Sequence, residues 1–138
     1  MDGVLWQDHR AIHQEIWQEL SMKIFIEYMP INWNQYINAE RKNKYIANNI
    51  KQQEKQIVQF FARGKKYAGE YPCEVIVRPH YNAYRQDLDN CRYKGLLDGL
   101  VASGVLKNDN LKHIQRIVLE PIFDDKVGIE FEIKELGT

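Results

Sequence analysis

The chain has 138 residues, 44% of them hydrophobic and 28% charged, and its 19 basic and 19 acidic side chains cancel. This is the composition of one globular domain, long enough to bury a single core. No apolar run approaches the roughly 18 residues of a membrane span and no signal-peptide pattern is present; the two cysteines, Cys73 and Cys91, form no metal-type cluster, so a cytoplasmic chain with reduced thiols and no membrane partner is expected.

The zero total conceals an uneven distribution. Residues 39–66 carry Arg41, Lys42, Lys44, Lys51, Lys55, Arg63, Lys65 and Lys66 against Glu40 and Glu54, a net +6, whereas residues 1–22 sum to −3 and residues 117–138 to −4. A local basic face of this kind serves phosphate binding or is simply a solvated helix surface.

Residues 5–20 read as a helix, with Ile12, Ile16 and Leu20 at a spacing of four. His9 and His13 share one face of it, but no Glu follows the first His as a zinc-protease motif requires. Alternation over 22–28 predicts a strand, with Met22, Ile24, Ile26 and Tyr28 on one side. Pro30, Asn32 and Asn34 then mark a loop holding Trp33 and Tyr36, aromatics that either stack on bases or cap the core. A long basic helix is expected over 39–61, with Ile46, Ile50, Ile57 and Phe61 as its buried stripe and Gly64 ending it.

Residues 73–80 are β-rich, and Pro79 suggests an edge strand or a strand end. A helix is expected over 90–102 with Leu96, Leu97 and Leu100 inward and Gly104 closing it. Strands follow at 113–120 and 127–134, able to pair as a hairpin across 121–126. The order α-β-α-β-α-β-β predicts an α+β domain with a small mixed or antiparallel four-stranded sheet and helices mainly on one face. The whole chain reads as one domain, with residues 1–21 a helical N-terminal extension.

The chemically distinctive segment is Asp87-Leu88-Asp89-Asn90, followed by Lys94, Asp98 and Asp109. In an extended segment, residues two apart point to the same side, which aims Asp87 and Asp89 at one point. Mg²⁺ takes hard oxygen donors and keeps several waters, so two or three carboxylates suffice. The competing reading is that Asp89 or Asn90 caps the following helix. A helix of about 13 residues runs ~20 Å, and about six extended residues return that distance, so Asp109 can sit near Asp87 and Asp89 at the helix start; alternatively, Asn108-Asp109-Asn110 is only a polar turn. Lys94 could hold a scissile phosphate or stabilise charge in the transition state, or it could form an i,i+4 ion pair with Asp98.

These residues, in this order, resemble the RusA family of Holliday junction resolvases, common in phages and prophages. The likeness is carried by Arg85-Gln86-Asp87-Leu88-Asp89-Asn90, Lys94, Leu97-Asp98-Gly99-Leu100, Gly104-Val105-Leu106, Asn108-Asp109 and the closing Glu130-Phe131-Glu132-Ile133, with a weaker match from Tyr28-Met29-Pro30 through Tyr36. Asn108 stands where many members carry another Asp. The resemblance implies a homodimer that binds four-way DNA junctions by shape and nicks two strands of like polarity with Mg²⁺, or Mn²⁺ in its place, leaving 5′-phosphate and 3′-hydroxyl ends. By motif, Asp87, Asp89 and Asp109 are the expected metal-binding carboxylates and Lys94 the catalytic or phosphate-contacting lysine. Lys44, Lys51, Lys55 and Arg85 are the expected DNA contacts. Two alternatives stand beside this reading: a non-catalytic DNA-binding or replication-accessory protein, and a less selective nuclease of branched or single-stranded DNA.

Overall fold

The structure is a computed structural model that describes residues 21–136. The helix expected over 5–20, with His9 and His13, lies outside the described residues. The elements run β1 (Met22–Ile26), α1 (Trp33–Lys42), α2 (Lys44–Phe61), β2 (Cys73–Tyr81), a 3-10 turn (Leu88–Asn90), α3 (Lys94–Ala102), β3 (Ile114–Leu119), β4 (Ile122–Phe123) and β5 (Gly128–Glu135). The α+β class stands. The sheet is mixed and has five strands rather than four, in the order β1-β5-β2-β3, with β4 also paired to β2.

Three expectations change. The first is the closing hairpin, which does not form. β5 enters between β1 and β2, antiparallel to both, while β3 runs parallel to β2 on its other side. A parallel pair needs a crossover connection, and α3 supplies it. The second is β2, which is a central strand despite Pro79. The proline falls where the neighbouring ladder is interrupted, between Val77↔Leu119 and His80↔Ile122, so its missing N–H costs little.

The third is the long basic helix, which is two helices. Asn43 is extended at the junction, accepts the amide of Tyr45 and caps α2; Trp33 and Tyr36 lie on α1 rather than in a loop. The buried stripe of α2 is rotated from the expected one: Ala47, Glu54 and Val58 are buried, and Ile46 is exposed. An α-helix cannot bury Ile46 and Val58 on one line, and Val58 is the residue that meets α3 closely. A Cβ on Gly99 would lie 2.7 Å from the Cβ of Val58.

One face of the sheet forms the core. Ile24 and Ile26, Val75 and Val77, and Ile129, Phe131 and Ile133 pack with Val58 and with Leu96, Leu97 and Leu100, and each fully buried side chain of this kind contributes roughly 1.5–3 kcal/mol. The opposite face carries charge. Arg78 bridges Glu130 at 3.0 Å and Glu132 at 2.8 Å, so part of the acidic C-terminal third is neutralised across the sheet. Among the described residues, no helix is long and apolar enough to cross a membrane. Both cysteines are buried free thiols; burial pushes the Cys73 thiol up to about 11 and raises that of Cys91, so neither is reactive.

Gly128 joins β5 to the sheet at a φ of +148°, and a Cβ there would lie 2.2 Å from the carbonyl oxygen of Ile26. Gly128→Ala is expected to destabilise the fold by about 1–3 kcal/mol, as over-packing against backbone does, read as a lower urea midpoint at unchanged m.

Candidate active site

The acidic segment leaves the end of β2. Asn82 to Gln86 form an exposed loop, Asp87 is extended, and the 3-10 turn carries Asp89 and Asn90 toward α3. Neither acid caps a helix. Asp87 makes no side-chain cap bond, and the N-cap position of α3 is Tyr93. Both carboxylates are exposed and make no side-chain hydrogen bond or ion pair to another described residue. Asn90 serves tertiary structure instead, its Oδ1 accepting the amide of Asn34 at the start of α1, 3.3 Å away.

Asp109 does come back to the start of α3. Its Oδ2 lies 3.0 Å from the Nζ of Lys94, the first residue of that helix, and the same ammonium is 2.9 Å from Oδ1 of Asp98. Asn108-Asp109-Asn110 is a polar turn, and it brings Asp109 to Lys94 rather than into a cluster with Asp87 and Asp89. Asn108 Oδ1 accepts the amides of Asp109 and Asn110, and the resulting polar turn presents Asp109 to Lys94. The hydrogen bond from Lys94 holds the Asp109 carboxyl below its ordinary 3.8, and the bonds to Asp98 and Asp109 raise Lys94 above 10.5. Both shifts favour the charged forms, so the pair stays charged at neutral pH.

Asp87 and Asp89 do not join Asp109 in one cluster. Among the described residues, no group of three or more His, Cys, Asp or Glu side chains could hold a metal ion. The donor type nevertheless fits Mg²⁺. Asp87 and Asp89 offer hard oxygens that no other described residue engages, and Mg²⁺ is commonly held by one or two carboxylates together with substrate phosphates.

Two of the basic side chains share a cleft of the helical layer. Lys44 and Lys51 are exposed and line a shallow cleft with Tyr36 and Tyr45, Lys55 is half-buried, and Arg85 is exposed just before Asp87. Lys51 lies over the Tyr36 ring, whose centroid is also 4.4 Å from the Arg92 guanidinium. Arg92 is 2% exposed and pairs with Glu54, which is fully buried; its Nε donates to the carbonyl of Ile31 at 3.1 Å. One buried ion pair thus ties the basic helix to the segment that carries the acids.

A family comparison adds what geometry alone does not. Residues 11–134 match the family described as Endodeoxyribonuclease RusA. The chain belongs to the RusA endodeoxyribonuclease family. Comparison with curated proteins finds no match. Within the RusA frame, the matched region takes in every element from β1 to β4 and nearly all of β5, so the acids, Lys94 and Asp109 all lie inside it.

Sequence reasoning missed two features beside this site. The first is Arg92–Glu54: a charged residue inside an amphipathic pattern reads as an interruption, and its partner is 38 residues away. The second is a histidine–carboxylate pair, His80 and Asp124, 2.8 Å apart. It exists because β4 runs parallel to β2 in the register His80↔Ile122 and Tyr81↔Phe123. No spacing rule links positions 44 apart.

Proposed function

We propose that this RusA-family chain is a homodimeric, Mg²⁺-dependent endonuclease that resolves four-way DNA junctions by paired nicks. The reading is carried by one observation: two exposed, uncapped carboxylates, Asp87 and Asp89, immediately precede a helix whose first residue, Lys94, is paired with Asp109. Acids that serve as caps would be engaged with backbone amides, and these are not.

Asp87 and Asp89 would hold the ion, with Asp109 the third carboxylate that the family motif assigns to it. Bound Mg²⁺ supplies charge neutralisation at the phosphate and a more acidic water. Lys94 is held at the helix start by Asp98 as well as by Asp109. Its ammonium then faces the negative charge that grows on the phosphate in the transition state. A two-fold dimer places two such sites on a junction of matching approximate symmetry.

Lys44, Lys51, Lys55 and Arg85 track backbone phosphates in this reading. With Glu54 buried against Arg92, the exposed surface of α2 is more basic than its composition suggests. Lys44→Ala and Lys51→Ala are each expected to weaken junction binding evenly across sequences and to lower the salt slope of log K by about 1, measured by fluorescence anisotropy over a salt series.

The deciding experiment is cleavage of a synthetic four-way junction with Mg²⁺ or Mn²⁺, beside flap and single-stranded substrates and an EDTA control. Symmetric paired nicks confined to the junction support the resolvase. Equal cutting of all three substrates points to a less selective nuclease. Tight junction binding with no cutting in either metal points to a non-catalytic DNA-binding protein.

A further inference from the structure

Arg92 stands in sequence between the two halves of the candidate site, after Asp89 and before Lys94. Its side chain is 2% exposed and reaches several elements at once. Nε donates to the carbonyl of Ile31, just ahead of the Asn32 cap of α1, at 3.1 Å. A terminal nitrogen donates to Glu54 of α2. The guanidinium carbon lies 4.4 Å from the centroid of the Tyr36 ring on α1. The start of α3 rests on the pair as well. A Cβ on Gly95, the residue after Lys94, would lie 2.3 Å from Glu54 Oε1 and 3.1 Å from Nη1 of Arg92.

Tyr36 also lines the basic cleft, with Lys44, Tyr45 and Lys51, and the Lys51 ammonium lies 5.7 Å from its ring centroid. One guanidinium therefore meets both a wall of that cleft and the foot of the helix that presents Lys94. The acids depend on the same anchorage. Asp87 and Asp89 have no side-chain partner among the described residues, so the backbone of their turn sets where they stand. That turn is closed by the Asn90 and Cys91 amides, which donate to Asp87 at 3.0 Å and Leu88 at 3.1 Å, and Arg92 follows it directly.

Stability alone is a weak reason for such a pair. A buried ion pair seldom stabilises a fold more than well-packed apolar side chains of similar volume. A guanidinium supplies what an apolar side chain does not, a rigid fork of donors that fixes the direction of each partner.

We infer that Arg92 is a positioning residue: it fixes the turn carrying Asp87 and Asp89, and the start of α3 carrying Lys94, against the wall of the basic cleft, and so sets which phosphate of a bound strand meets the acids. This inference deepens the reading of the chain as a nuclease and rests on it.

The test compares the full chain with its Arg92→Met/Glu54→Met double variant, which removes both charges together. Urea midpoint, junction affinity, single-turnover nicking with mapped nick positions, and hydrogen exchange of the Asn90 and Cys91 amides without DNA are measured on the same preparations. The double variant should keep a urea midpoint near that of the wild type. Its junction affinity should stay within about threefold while single-turnover nicking falls about a hundredfold, the effect of a displacement of roughly 1 Å. Its nicks should spread to neighbouring phosphates. The two amides should exchange about tenfold faster, a local opening at unchanged global stability. Arg92→Lys keeps a cation for Glu54 without the fork that also reaches Ile31. It should show the same pattern more weakly, and it serves if the double variant does not fold.

Amides that exchange as in the wild type overturn the inference whatever the nicking. Faster exchange with unchanged nick rate and nick positions overturns it too, because the acids then need no such anchor. A loss of affinity that matches the loss of nicking assigns Arg92 to DNA binding and overturns positioning. A wild type that nicks no substrate removes the nuclease reading, and amide exchange alone then decides whether Arg92 holds the turn.

Discussion

Asp89→Asn is expected to lower junction nicking by about a thousandfold or more, since a catalytic metal contributes several kcal/mol of charge stabilisation. Junction affinity should hold or rise, because on the proposed reading the substitution removes a negative charge that would face the phosphate. Asp87→Asn should behave alike. Stability should barely change, because both side chains are exposed and neither caps a helix. Single-turnover cleavage, anisotropy binding and urea unfolding on the same preparations separate the three quantities. Nicking that survives either substitution within about tenfold would remove that carboxylate from the site.

Arg92→Ala should unfold the protein far more easily, by about 3–5 kcal/mol, because it strands a charge in the interior. Glu54 is fully buried; its Oε2 takes the Arg92 bond, and its Oε1 has no hydrogen-bond partner among the described residues. The loss would also free the carbonyl of Ile31 and uncover the Tyr36 ring. Paired apolar replacement, Arg92→Met with Glu54→Met, is expected to recover much of the loss, since a buried ion pair often contributes little beyond a well-packed apolar pair. Gly95→Ala tests the same locus independently. A Cβ there would lie 2.3 Å from Glu54 Oε1, so the carboxylate must shift, and the urea midpoint should fall. If Arg92→Ala proved neutral, the bridge between α2 and the acidic segment would be no part of what holds the fold.

Periodicity carried much of the architecture because it reports which side of an element meets water. The alternation over 127–134 became β5, and the three leucines at 96, 97 and 100 are buried on α3. Gly64 and Gly104 end their helices with φ near +75° and +83°, a backbone that glycine adopts readily. Periodicity failed at α2, where Glu54 sits in the buried face because Arg92 comes from elsewhere to meet it. It failed again for the hairpin, because alternation names a strand's faces and says nothing about its neighbours. β3 and β5 are consecutive long strands, yet β2 lies between them.

The candidate site divides along the same line. The acids, Lys94 and the return to Asp109 were legible because they lie within one short stretch of chain, where helix rise and strand rise bound the distances. Local chemistry was enough to single out Asp87, Asp89, Lys94 and Asp109 as candidates, and a resemblance associated them with a nuclease family. It could not say that Lys94 would hold Asp98 and Asp109 together, that neither Asp87 nor Asp89 would cap a helix, or that His80 would meet Asp124. The last of these depends on strand order and register, which follow from the burial of the whole apolar surface at once rather than from any single segment's pattern.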